Sequence, residues 1–225
     1  MYQTSLKSVF QGATYEDWVL EFTPHQSVQS RFKRSLDIVG SLVGLMILAL
    51  VFVPLAIAIK IDSPGPIFFT QERYGLQGRA FRIRKFRSMV SDAEQLKSLV
   101  NNEANGLIFK NKNDFRVTKV GRLLRSTSLD ELPQFWNVLV GEMSLVGTRP
   151  PTGDEVAKYT PRHWQRLNVK PGLTGEWQVN GRSQVKDFEQ IVDLDLRYQH
   201  NWHPLYDLFL IGKTFYVIFG RIGAF

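Results

Sequence analysis

IVGSLVGLMILALVFVPLAIAI, running from Ile38 to Ile59, carries no charged residue over 22 positions. As a helix it would rise about 33 Å, against a hydrocarbon core of about 30 Å. A soluble helix of that length would show a polar face, and this one has none. The block therefore predicts a membrane-inserted helix. Its rival is a cleaved signal peptide, for which Ala56-Ile57-Ala58 offers a small-residue site. The apolar run is too long for such a peptide, and a long polar segment precedes it.

Outside the block the chain is polar and basic. Its 225 residues carry a formal charge of +7, which points to anionic partners: nucleic acid, an acidic membrane surface or a phosphorylated substrate. There is no cysteine, so disulfides, thiolate catalysis and cysteine-bound zinc are excluded. The histidines at 25, 163, 200 and 203 show no ligand spacing. Both flanks of the block are basic: Arg31, Lys33 and Arg34 before it, Lys60 and then Arg73 to Arg87 after it. The positive-inside rule then gives no orientation. A hairpin entering and leaving on one face satisfies both flanks, and Pro54 could bend it. A straight span fits the length equally well.

Working outward, residues 1–30 read as a polar leader, 31–61 as the membrane helix and 62–225 as the catalytic body. Asp62-Ser63-Pro64-Gly65-Pro66 is a turn cluster. Ile67-Phe68-Phe69 and Phe81 to Arg84 predict strands of a hairpin around Gly75 to Gly78. Helices are expected over Met89–Asn101, Lys119–Arg125, Ser128–Val140 (closed by Gly141), Thr160–Leu167 and Phe188–Trp202. Lys170 to Ser183 is glycine-rich and reads as an ordered loop. Leu205 to Phe225 is apolar but broken by Asp207, Gly212, Lys213, Gly220 and Arg221, so an interfacial helix suits it better than a second span, with a core helix as the alternative.

Chemistry centres on Ser128-Leu129-Asp130-Glu131. Structurally this is a capping box, with acidic residues favouring a helix start. Chemically, Asp130 could attack phosphorus to give an acyl phosphate, and Glu131 could hold Mg²⁺. Phosphoryl transfer needs positioned cations. Arg125 and Arg122 lie about one and two turns upstream; Lys85 and Arg87 lie close to the membrane block; Val146-Gly147-Thr148-Arg149-Pro150-Pro151 offers a stiff turn presenting an arginine fork.

Eight segments in order carry a resemblance. They are Lys33-Arg34-Ser35-Leu36-Asp37, Ser63 to Gly75 (SPGPIFFTQERYG), Lys85-Phe86-Arg87-Ser88-Met89, Gly121-Arg122-Leu123-Leu124-Arg125, Leu129 to Gln134 (LDELPQ), Asn137-Val138-Leu139, Gly141 to Gly147 (GEMSLVG) and Lys170 to Gly175 (KPGLTG). From about residue 31 to the C-terminus the chain resembles the bacterial sugar transferase family, monotopic phosphoglycosyl transferases acting on polyprenyl phosphate.

The resemblance implies an α/β fold: a compact, mostly helical cytosolic domain with a small β-hairpin, on a re-entrant membrane helix bent at Pro54, with interfacial amphipathic helices. It implies Asp130 as nucleophile, Glu131 as Mg²⁺ ligand and Arg149 as phosphate binder, with Lys85, Arg125 and Arg122 as further phosphate cations. Gly147, Gly175, Gln178, Arg182 and Asp195 are expected around the substrate pocket, and Lys33, Arg34 and Pro54 at the membrane. Thr148 stands where the family commonly has proline, and little loss is expected. The implied reaction passes a sugar phosphate from a UDP-sugar, such as that of glucose or galactose, to polyprenyl (undecaprenyl) phosphate at the bacterial inner membrane. No nucleic-acid partner is expected, and a homo-oligomer is left open. Family members often carry a multi-span N-terminal region, so the chain reads as a minimal catalytic form or a piece of a longer protein. Two rivals remain: a non-catalytic membrane-anchored protein binding anionic lipid or a partner, and a nucleotide-sugar hydrolase.

Overall fold

The structure, a computed structural model, describes residues 24–181 and 184–220. It is mostly helical, with two small two-stranded ladders and one long apolar helix near the N-terminal end. Helix α1, Arg31–Asp62, begins at Ser30, whose hydroxyl accepts the Lys33 N–H at 3.2 Å. It runs through Pro54 without leaving helical geometry and stops at the Pro64-Gly65-Pro66 turn. Arg87 clamps that turn, donating to the Ser63 and Pro64 carbonyls, both at 2.6 Å.

One stripe of α1 packs against the body along nearly its whole length. Near its start Lys33, Asp37 and Ser41 are buried, and near its end Ala56 and Ile59. Glycine makes this possible. A Cβ on Gly40 would sit 2.5 Å from Leu145, and one on Gly44 2.3 Å from the Phe135 ring. The remaining surface of α1 is apolar and exposed, reaching 81% at Leu50 and 82% at Ile61. Such a face is stable in lipid and costly in water.

The expected hairpin forms from β1, Phe68–Tyr74, and β2, Ala80–Phe86, paired antiparallel with Phe68 opposite Phe86. Helix α2 is Lys119–Thr127 and helix α3 Phe135–Val140, ended by Gly141 at φ 87°. Strand β3, Ser144–Val146, pairs in parallel with β4, Gly172–Thr174, inside the segment read as a loop. Helix α4, Phe188–Asn201, and helix α5, Pro204–Phe219, complete the body. Ile83, Val138, Met143, Val146, Tyr198 and Leu210 form the main core. Phe86, Leu124 and Ile59 join hairpin, α2 and α1 in a second cluster.

Three expectations fail here. Met89–Asn101 is not a helix: Met89 bridges to Val117 and only Gln95–Leu99 makes a 3₁₀ turn. With few buried contacts on its apolar side, nothing stabilises a longer helix there. Lys33 and Arg34, expected at the membrane, are held by the protein instead. Lys33 is buried, donating to Val146 O at 2.8 Å, Tyr198 at 3.1 Å and Asp207 at 2.8 Å. Arg34 caps α3 through the Val138 and Leu139 carbonyls at 2.9 and 2.7 Å. The basic flank before the block is consumed by the fold. The tail forms α5, with Asp207, Leu210 and Val217 buried and Leu205, Leu208, Phe209, Phe215 and Tyr216 exposed.

Candidate active site

Asp130 and Glu131 lie in a 3₁₀ turn, Leu129–Gln134, rather than in the first turn of an α-helix. Ser128 closes α2 in the left-handed region at φ 58°, and its side chain makes no capping bond. The expected capping box is therefore absent. A left-handed serine costs roughly 1–2 kcal/mol, a kind of strain that gathers at functional sites. It turns the chain sharply, so that Asp130 points inward and is 7% exposed. Pro133 then limits what can follow. α2 itself is fixed by close contact: a Cβ on Gly121 would lie 2.0 Å from the Ser88 carbonyl oxygen, and Arg125 donates to the Ser88 hydroxyl at 2.9 Å.

Lys85, from β2, reaches Glu131 with Nζ 2.7 Å from Oε1. Burial lowers the Arg125 guanidinium, and Asp130 is the foremost group holding it up. Arg149 is gripped by Glu155, at 2.9 and 3.2 Å. Glu155 is itself the third residue of a capping box begun by Thr152. Arg73 donates to the Pro150 carbonyl at 3.0 Å, and burial with Arg149 nearby pushes its guanidinium down to about 10, still charged at neutral pH.

Lys85, Arg125, Asp130, Glu131, Arg149 and Gln178 all wall one cavity of about 680 Å³, within the range of small-molecule sites. The sequence therefore brings together six of the expected residues. Others lie elsewhere. Arg122 is exposed on the outer side of α2 and away from this wall. Asp195 is a buried partner of Arg166, 2.6 Å from Nη2, and does not reach the cavity. Gly147 and Gly175 act through backbone packing. A Cβ on Gly147 would lie 2.1 Å from the Lys170 oxygen, and one on Gly175 2.1 Å from the Gly147 oxygen. They let β3 and β4 close beneath Arg149. Arg182 falls outside the described residues.

The pocket turn has support that sequence reading missed. Arg166 donates to the Arg149 carbonyl at 3.3 Å, and Thr148 donates to the Arg166 carbonyl at 3.1 Å. Thr148 thus gains a bond that proline could not make. Arg73, Glu155 and Arg166 were also missed; only Glu155 had a local signal, the Thr152-x-x-Glu155 spacing. Gln134 presents a buried side-chain nitrogen with no partner to the same cavity.

A family model described as bacterial sugar transferase matches residues 28–221. The chain belongs to this family. It is 46% identical over 96% of its length to the galactosyl transferase CpsE of Streptococcus agalactiae serotype III. It is 40% identical over its whole length to an undecaprenyl-phosphate galactose phosphotransferase of Salmonella typhimurium. It spans about half of those two proteins, 48% in each case. It is also 37% identical, over 81% of its length, to the exopolysaccharide production protein ExoY of Rhizobium meliloti, of which the match covers 83%.

Among the described residues no three acidic or histidine side chains gather as a metal site. A thin protein shell still suits Mg²⁺, which takes one or two carboxylates and completes its sphere with water and substrate phosphate. Glu131, half-exposed on the cavity wall beside Asp130, fits that demand.

Proposed function

We propose that the chain transfers a sugar 1-phosphate from a UDP-sugar to undecaprenyl phosphate. The observation that carries this is the placing of buried Asp130 on a cavity wall shared with Glu131, Lys85, Arg125 and Arg149. An Asp130 oxygen attacks the phosphorus bonded to the sugar, and the bond to UMP breaks. An oxygen of undecaprenyl phosphate then attacks the same phosphorus, and Asp130 leaves as carboxylate. Lys85, Arg125 and Arg149 offset the phosphoryl charge, while Glu155 and Arg166 hold the Arg149 turn. Glu131 would hold Mg²⁺, whose charge would neutralise the oxygens of the donor's diphosphate as UMP leaves.

Both ends of α1 are tied to one body. Lys33 is bonded to Val146 and Asp207, and Asp62 accepts the Val120 N–H at 2.8 Å. A straight span would put those ends on opposite sides of the bilayer. This supports a re-entrant helix bent near Pro54, with residues 62–225 cytoplasmic at the inner membrane and the exposed face of α5 on the lipid surface. Phe52 of α1 stacks on Phe68 at 5.8 Å, and Phe68 and Phe69 wall the cavity. That apolar approach suits an acceptor arriving from lipid.

The test is UMP release from a panel of UDP-sugars by protein in detergent with Mg²⁺. Release that requires undecaprenyl phosphate is expected; release without lipid would make the chain a hydrolase instead. EDTA should abolish turnover and excess Mg²⁺ restore it; turnover that persists in EDTA would remove the metal from the scheme. Lys85→Met should lower kcat/KM by about 10- to 100-fold, since a hydrogen bond to a charged group contributes roughly 1.5–3 kcal/mol. An unchanged value would return Lys85 to a purely structural pairing with Glu131.

A further inference from the structure

Trp177 and Gln178 sit in the short helix Glu176–Val179 and wall the same cavity. The indole Nε1 and the Gln178 Oε1 are shielded from solvent, and neither has a hydrogen-bond partner. Buried polar atoms are nearly always paired, so two orphans on consecutive residues of one cavity's lining ask for a ligand. They offer one donor and one acceptor. Two cations crowd the indole: Lys110 Nζ lies 4.7 Å from the ring centroid and the Arg149 guanidinium 6.0 Å. Burial, and then Arg149 and Lys186, push the Lys110 ammonium down to about 8, so cationic charge is crowded at this end of the cavity. An anion that also carries a neighbouring acceptor and donor answers all of these features.

We infer that Trp177 and Gln178 form the base-reading end of the donor site, selecting uracil. The indole N–H donates to a uracil carbonyl, and Gln178 Oε1 accepts the adjacent ring N3–H. Arg149, beside the indole, takes the phosphate. Cytosine has no hydrogen at N3, so it would leave Gln178 facing a second acceptor. The inference rests on the proposal that the donor is a UDP-sugar.

Calorimetric titration of the full chain in nanodiscs with UMP, CMP and ribose 5-phosphate tests it. UMP should bind at least about tenfold tighter than either of the others, as expected of a site built around a ligand's own hydrogen bonds. Gln178→Leu and Trp177→Phe should each weaken UMP to the level of CMP and leave ribose 5-phosphate binding unchanged. Equal binding of UMP and CMP by the unaltered chain would overturn the inference without depending on any variant. UMP binding unchanged in both variants would overturn it too. If lipid-dependent UMP release is meanwhile observed, the transferase proposal survives either failure. If no donor is turned over but UMP is preferred, the transferase proposal falls and the uracil reading stands on its binding data.

Discussion

Asp130→Asn is expected to lower lipid-dependent UMP release by about 10³-fold or more, the scale seen when a catalytic nucleophile is removed. Asparagine has nearly the same shape, so the Leu129–Gln134 turn and its left-handed Ser128 entry should persist. What is lost is the anion. An amide neither attacks phosphorus effectively nor balances Arg125, for which Asp130 is the foremost charge favouring the guanidinium. Donor binding should change far less than kcat, because Lys85 and Arg149 remain. A KM effect with unchanged kcat would place Asp130 in ground-state binding rather than in bond formation. Initial rates across donor concentrations separate the two.

The largest stability effect should come from Asp195→Leu. Asp195 and Arg166 are each 1% exposed, and their contact is 2.6 Å. Removing the carboxylate strands a buried guanidinium that cannot shed its proton, at a cost of about 3–5 kcal/mol. For a chain of this size that lowers Tm by roughly 10 °C. Arg166→Leu should cost less. Burial already raises the Asp195 carboxyl, with Arg166 foremost in opposing it, so the lone acid can take up a proton. That variant has a signed pH dependence. A folded state with a raised carboxyl binds more protons than the unfolded chain, whose value is near 3.9, so stability falls as pH rises above that value. Both variants should also raise the donor KM, because Arg166 supports the Arg149 carbonyl. Thermal melts between acidic and neutral pH check the order. If Arg166→Leu proved the more costly, or insensitive to pH, the pair would not be the buried ion pair described.

Much of the fold was legible because its signals are local. The uncharged run from Ile38 to Ile59, the turn at Ser63 to Pro66 and the alternating Phe81 to Arg84 need no distant partner to be read. The Met89–Asn101 segment misled because its helical pattern meets no surface to bury against. Lys33 and Arg34 misled for the opposite reason. A cation beside an apolar run looks like a lipid contact, and only tertiary structure brings Asp207 and the α3 carbonyls to it. Within the site, Asp130, Glu131, Lys85, Arg125 and Arg149 were named from sequence and share one wall. Arg122 was named by its spacing from Asp130, but it points away from the cavity. Arg73 was legible only as a member of the Ser63 to Gly75 segment, and Trp177 only as part of the loop read over Lys170 to Ser183. Their use depends on β3 closing against β4, which the glycines at 147, 172 and 175 permit without advertising.

The central claim is that the sugar phosphate passes through Asp130. Intact-mass measurement of the protein after incubation with Mg²⁺ and a competent UDP-sugar, in the absence of lipid, tests it most directly. The expected result is a mass gain of one sugar phosphate, mapped to the peptide containing Asp130 and removed by adding undecaprenyl phosphate. Full turnover with no adduct at Asp130, or an adduct on another residue, would contradict the account.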